Sequence, residues 1–344
     1  MHQRIPTLDG LRAFSILCVI AGHCAIAHKL MMADHLAGFG VQVFFVISGY
    51  LISTLLLKEH ARTGGIDLPA FYIRRSFRIF PAAFTYIGIV ALLAPAARPD
   101  LAYALTYTMS YHTSKTSSLL QHLWSLSCEE QFYLLWPLAL VIGFRWRGRI
   151  AVVAIVLAAA FRISCYAGGT EPLRRVLHFY FPSVVDSLAA GCLLAIYAPD
   201  VRKRFGSLSQ SSGVALCLPV LTFIVAVLLW SGPAVLTIFW GVIPLLIALS
   251  MFILIERGDW ILNNRAASAI GVLSYSLYLW QQPFTLADRA SLVVSLVLLV
   301  SFATTSYAVV EHPMLKLGAR LGKSRDPRLP TAMPQTGLAA QGEP

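Results

Sequence analysis

The chain alternates long apolar stretches with short polar connections. Ten of the stretches come close to the roughly 20 residues that an α-helix needs to cross the hydrocarbon core of a bilayer. They fall at about 8–28, 38–57, 79–96, 123–144, 150–167, 181–198, 213–230, 234–255, 268–287 and 291–310. A weaker apolar run, Leu101 to Tyr111, is too short to span and is expected to be a re-entrant or interfacial piece. Lipid offers no water to unpaired backbone N–H and C=O groups, so segments of this kind must be helical. The expected fold is all-α, a polytopic integral membrane protein of about ten transmembrane helices.

Composition agrees with this pattern. Hydrophobic residues make up 57% of the chain, charged residues only 12%, and mean hydropathy is +0.70, whereas an average soluble domain is roughly 25% charged. The 27 Lys and Arg residues then set the orientation, because cytoplasmic loops of membrane proteins are enriched in them. In the ten-helix arrangement 20 lie on the side of the N-terminus, including Arg74, Arg75 and Arg78, the Arg145–Arg149 cluster and Arg202, Lys203 and Arg204; 6 lie opposite and Arg162 falls inside a helix. Counting Leu101–Tyr111 as a span would throw the Arg145–Arg149 cluster to the outside. The asymmetry therefore selects ten helices with both termini cytoplasmic. The net charge of +11 is accounted for as topology, and no nucleic acid is expected as a partner.

Other features add little chemistry. The six cysteines, Cys18, Cys24, Cys128, Cys165, Cys192 and Cys217, stand in apolar surroundings without metal-ligand spacing, which reads as buried thiols and no metal. Ala25-Ile26-Ala27 imitates a signal cleavage site, but Arg12 sits too deep for a signal peptide and an uncleaved first helix is expected. Residues 1–322 read as one transmembrane domain. Residues 323–344, rich in Pro, Gly and Gln, read as a disordered cytoplasmic tail.

Against this apolar background the charged positions stand out. Unpaired charge in lipid is costly, so intramembrane ionisable residues have partners, water or a function. In the first segment Leu8-Asp9-Gly10-Leu11-Arg12 is followed by His23, eleven residues or roughly 16 Å further along the helix axis. Arg12 is thereby placed near the cytoplasmic face and His23 in the outer half. Glu130, in the run Trp124 to Tyr133, enters from outside and lies roughly 10 Å below the outer surface, at a depth similar to His23. Each alone has a plain reading as a satisfied structural hydrogen bond. Together they suit hydroxyl activation, since imidazole takes and returns a proton near neutral pH and a carboxylate can orient it. Arg75 and Arg78, three apart on one helix face just cytoplasmic of the third span, form a fork suited to phosphate oxygens; anchoring at the membrane surface is the alternative. Small residues in Gly40–Ile52 read as helix contact, and the hydroxyls and amides of Leu273–Pro283 as a possible polar lining.

Taken in order, these segments resemble the membrane acyltransferase-3 family, whose members O-acylate sugars and other hydroxyl-bearing acceptors. The resemblance rests on the Arg12–His23 spacing, FFVISGYLI at 44–52, RRSFRIFP at 74–81, HLWSLSCEEQFYLLWP at 122–137, SYSLYLWQQP at 274–283 and Val310-Glu311-His312-Pro313. It runs from about residue 4 to 322. Gln281 stands where many relatives have histidine, and the SGNH hydrolase-like domain fused to some relatives is missing from this sequence, so a direct transfer or a separate second protein is expected. The resemblance implies transfer of an acyl group, most often acetyl, from cytoplasmic acyl-CoA to a hydroxyl of a sugar or glycan acceptor, in the bacterial inner membrane. It implies His23 as general base or transient acyl carrier, with Glu130 orienting or charge-balancing it. Arg12, Arg75 and Arg78 would hold the donor phosphates, and Asp9 would pair with Arg12. A proton-coupled transporter of a glycan or lipid would also use intramembrane His, Arg and Glu, but no internal repeat is apparent.

Overall fold

The apolar stretches fold as helices. A computed structural model describes residues 6–27, 33–112, 117–169, 177–209, 218–225, 241–258, 262–285 and 291–322, and among these no residue is in a strand. In chain order the helices are α1 Pro6–Ala27, α2 Ala33–Thr63, α3 Leu68–Leu93, the short α4 Leu101–Leu105 and α5 Ser118–Gln121, α6 Leu123–Gly143, α7 Arg147–Gly168, α8 Phe181–Ser209, α9 Val242–Arg257, α10 Arg265–Thr285, α11 Leu292–Ser306 and α12 His312–Leu321. Residues 218–225 are also helical. Among the described residues, six continuous stretches are long and apolar enough to cross a membrane, and one of them, Ser118–Gly168, holds both α6 and α7. The protein is a multi-pass, all-helical membrane protein. The seventh expected span, 213–230, lies only partly within the described residues, and the tail from 323 lies outside them.

Three boundaries differ from the reading of the sequence: α2 runs on to Thr63 and α8 to Ser209, so that Arg202, Lys203 and Arg204 are helical, and α3 starts early. The third helix begins at Leu68, not near 79, so Arg74, Arg75 and Arg78 lie within it and not in a preceding loop. Its start is built by Asp67, whose side chain accepts from Ala70 N at 3.0 Å, with proline in the first turn. Glu59 at the end of α2 secures the connection by accepting from Asp67 N at 2.9 Å. The Leu101–Tyr111 region forms short helical pieces, as its length required. Buried Asp100 pins them, meeting His112 Nε2 at 2.8 Å and accepting from Ser117 N at 2.8 Å.

Helix α1 lies between α2 and α10; α2 lies on α8, which also meets α7 and α9; α10 meets α11, and α3 meets α12. Small residues set the closest crossings. A Cβ on Gly49 would come within 1.9 Å of the Leu188 carbonyl oxygen, and one on Gly191 within 2.1 Å of that of Val46, so α2 and α8 touch backbone to backbone. The expected role of the Gly40–Ile52 run in helix contact is met here. A π-helical turn over Tyr307–Glu311 joins α11 to α12. Beyond it, Gly318 sits against Phe77 and Arg74 Nη1 donates to the Gly322 carbonyl at 2.6 Å. Five cysteines fall within the described residues as free thiols; Cys18, Cys128 and Cys192 are buried.

Candidate active site

Three guanidinium groups, one from α1 and two from α3, lie close enough to feel one another's charge. Arg12 lies within electrostatic reach of both Arg75 and Arg78, and all three are only half-buried. Such a cluster is tolerable at membrane depth only with counter-charges and polar contacts around it. Asp9 faces Arg12 from one turn earlier in α1. Glu311 faces Arg78; the π turn carries its carboxylate inward, where it is 4% exposed and accepts a hydrogen bond from Ser276. Arg75 lays its guanidinium over the Tyr133 ring, 3.7 Å from the centroid, and its Nε finds no hydrogen-bond partner among the described residues. The sequence pair Arg75 and Arg78 is thus joined by Arg12, as expected, and by Tyr133 and Glu311, which sequence reading did not single out as site residues.

The adjacent carboxylates of α6 have different surroundings. Both oxygens of Glu129 are engaged: Ser48 Oγ donates to one at 2.6 Å and Tyr133 Oη to the other at 3.1 Å. Glu130 lies in reach of the Arg75 charge, while its Oε1 is buried with no hydrogen-bond partner among the described residues. Tyr107, whose hydroxyl is likewise buried and unpartnered, stands within electrostatic reach of Glu130. Glu129 is consumed in tying α2 to α6, and Glu130 is the carboxylate with capacity left.

His23 belongs to a second group, further along α1. Its Nδ1 lies 2.8 Å from Gln281 Oε1, so a contact that orients the ring comes from α10. Gln281 is fully buried and its Nε2 has no hydrogen-bond partner among the described residues. His122 lies within electrostatic reach of His23. It is held by Nε2 at 3.2 Å from the Leu279 carbonyl and flanked by the rings of Tyr86 and Tyr278, each with its centroid 5.5 Å away. Tyr278 Oη donates to the His122 carbonyl at 2.7 Å and meets Ser125 Oγ at 2.6 Å. The hydroxyls and amides of Leu273–Pro283 therefore do line polar ground, and their clustering on one apolar helix was the signal for it. Tyr86 and His122, which enter from α3 and the start of α6, carried no such signal.

The arrangement has two ends on one helix: a basic, tyrosine-lined end at Arg12 and an imidazole at His23, eleven residues or roughly 16 Å apart. No solved structure matches this chain. The profile described as Acyltransferase domain matches residues 5–310. Among curated proteins, peptidoglycan O-acetyltransferase OatA of Listeria monocytogenes is 28% identical over 365 residues, covering 92% of this chain and 57% of that protein. O-acetyltransferase OatA of Staphylococcus aureus is 29% identical over 357 residues, covering 91% of this chain and 58% of that protein. The chain spans a little over half the length of these relatives. With the profile running through Arg12, His23, Arg75, Arg78, Glu130 and Gln281 and ending one residue before Glu311, the chain belongs to the acyltransferase-3 family of membrane proteins.

Proposed function

We propose that the protein is a membrane O-acyltransferase that moves an acetyl group from cytoplasmic acetyl-CoA, or another acyl group from its CoA thioester, to a hydroxyl of a saccharide acceptor. The observation that carries this reading is the pairing on α1 of a three-arginine cluster with a hydrogen-bonded histidine, roughly 16 Å away along the axis. That separation is comparable to an extended pantetheine arm. Arg12, Arg75 and Arg78 hold the donor phosphates, and the thioester reaches the level of His23.

His23 then removes the proton from the acceptor hydroxyl as that oxygen attacks the thioester carbonyl carbon. The tetrahedral intermediate collapses, the C–S bond breaks, and the imidazolium returns its proton to the departing thiolate, leaving an ester and the free thiol of CoA. An acyl-imidazole intermediate on His23 is the covalent variant of the same sequence. Glu130 balances the cationic charge of Arg75. The ten-span topology with both termini cytoplasmic, in a bacterial inner membrane, supplies the sidedness the scheme needs. The names of the relatives point to peptidoglycan as the acceptor class.

The test is made on the purified protein in lipid nanodiscs, with acetyl-CoA as donor and soluble peptidoglycan fragments as acceptor. Thiol release and a mass gain of one acetyl group on the fragments are expected, and both are lost in His23→Ala while the protein stays folded and membrane-inserted. Full transfer by that variant removes His23 from the reaction. In sealed proteoliposomes, accumulation of fragments in the lumen without acetylation would favour transport.

A further inference from the structure

The base proposed above needs one ring nitrogen protonated and the other free to exchange a proton. Which is which depends on what the ring is bonded to. On the α10 side, the answer is an amide. Gln281 Oε1 lies 2.8 Å from His23 Nδ1, and a carbonyl oxygen can only accept. The proton of the neutral ring is therefore on Nδ1 and the lone pair on Nε2.

The amide is well placed to impose this. Gln281 is 0% exposed and stands on a helix fixed from two sides. Against α1, a Cβ on Gly271 would come within 2.0 Å of the Asp9 carbonyl oxygen, so α10 and α1 are in backbone contact. Against α6, Tyr278 and Leu279 are bonded to His122. The amide nitrogen, meanwhile, is buried without a hydrogen-bond partner among the described residues. A buried amide that leaves its own N–H groups unmet is poorly explained by its own satisfaction, and its oxygen is spent on His23.

We propose that Gln281 is the positioning residue for His23, holding the imidazole in the Nδ1–H tautomer with Nε2 as the nitrogen that exchanges the proton. The proposal rests on the role of His23 given above. Three variants of one position test it in the full-length protein in nanodiscs, with acetyl-CoA and soluble peptidoglycan fragments as the probes. Gln281→Met keeps the length of the side chain and removes the acceptor; kcat is expected to fall about 10- to 100-fold, as for other partners that orient a functional histidine, with KM for acetyl-CoA unchanged. Gln281→Leu, one atom shorter, also removes the acceptor and serves if the methionine variant is unstable. Gln281→Glu restores an oxygen that can only accept and is expected to recover kcat to within a few-fold of the parent.

Parental kcat in a folded methionine or leucine variant overturns the proposal. So does a folded glutamate variant as slow as the methionine one, since that places the donor on the amide side. His23→Ala is measured alongside: if it retains full activity, the reading of His23 fails first and independently of Gln281.

Discussion

Glu129 and Glu130 show how far one step along a helix changes a carboxylate. A rotation of about 100° turns Glu129 toward Ser48 and Tyr133, which use both its oxygens, and leaves Glu130 Oε1 unbonded in reach of Arg75. Glu129→Gln is expected to lower stability by about 1–3 kcal/mol, because an amide keeps a single acceptor oxygen and one of the two hydroxyls loses its partner. Glu130→Gln is expected to leave thermal unfolding in detergent unchanged and to alter KM for acetyl-CoA, because Arg75 loses its counter-charge. The reverse assignment of the two effects would contradict these roles. At the arginine cluster, Arg75→Lys loses the planar stack on Tyr133 as well as the fork, so KM for acetyl-CoA is expected to rise about tenfold, nearly as far as for Arg75→Ala or Arg78→Ala. Calorimetry with CoA alone checks it, and unchanged binding in all three variants would reduce the fork to a surface anchor. The candidate residues were legible in the sequence because charge is conspicuous in an apolar chain. Gln281 and Tyr133 were less so: an amide or a phenol is unremarkable in a membrane helix until its neighbour is known.

Among the elements, α3 is one whose extent the sequence obscured, as are α2 and α8 at their C-terminal ends. Hydropathy counts Arg74, Arg75 and Arg78 as loop, whereas the structure buries them partly against Glu59, Tyr133 and Glu311 and continues the helix through them. The capping signal was present in Asp67-Leu68-Pro69, a helix-starting residue followed by proline in the first turn. The cores of α1, α2, α6, α7, α8, α10 and α11 were legible from length alone, whereas α12 was not among the expected spans. The mutual placement of the helices was not legible, since it depends on contacts such as the one between α7 and α8, where Arg162 and Asp186 are paired at 2.8 Å with exposures of 2% and 4%. Arg162 also donates to the Ser183 carbonyl. Arg162→Met or Asp186→Leu alone strands a charge in an apolar interior and is expected to cost about 3–5 kcal/mol, whereas the double variant recovers most of it. Thermal unfolding of the solubilised variants decides this, and equal losses in single and double variants would show that the pair does not act as a unit.

For the molecule as a whole, the sidedness inferred from Lys and Arg makes a direct prediction. Arg145 and Tyr111 are both exposed in the structure, and the ten-span topology puts them on opposite sides of the membrane. Arg145→Cys is expected to react with a membrane-impermeant maleimide only in inside-out vesicles, and Tyr111→Cys only in right-side-out ones. Labelling of both from one side would overturn the span count and, with it, the delivery of a cytoplasmic thioester to the level of His23.

The π turn at Tyr307–Glu311 bears on how this family can vary in length. A residue added to or removed from a helix rotates everything beyond it by about 100°, so the turn works as a phase setting between the two ends of the last helical stretch. With the turn in place, Glu311 meets Ser276 on one side while Gly318 and Gly322 meet Phe77 and Arg74 on the other. Shortened by one residue to a regular helix, the stretch satisfies one set or the other, and the arginine cluster loses either its carboxylate or the brace behind α3. Insertions and deletions here are therefore rotations in disguise, and the chain tolerates them only in numbers that bring both faces back into register.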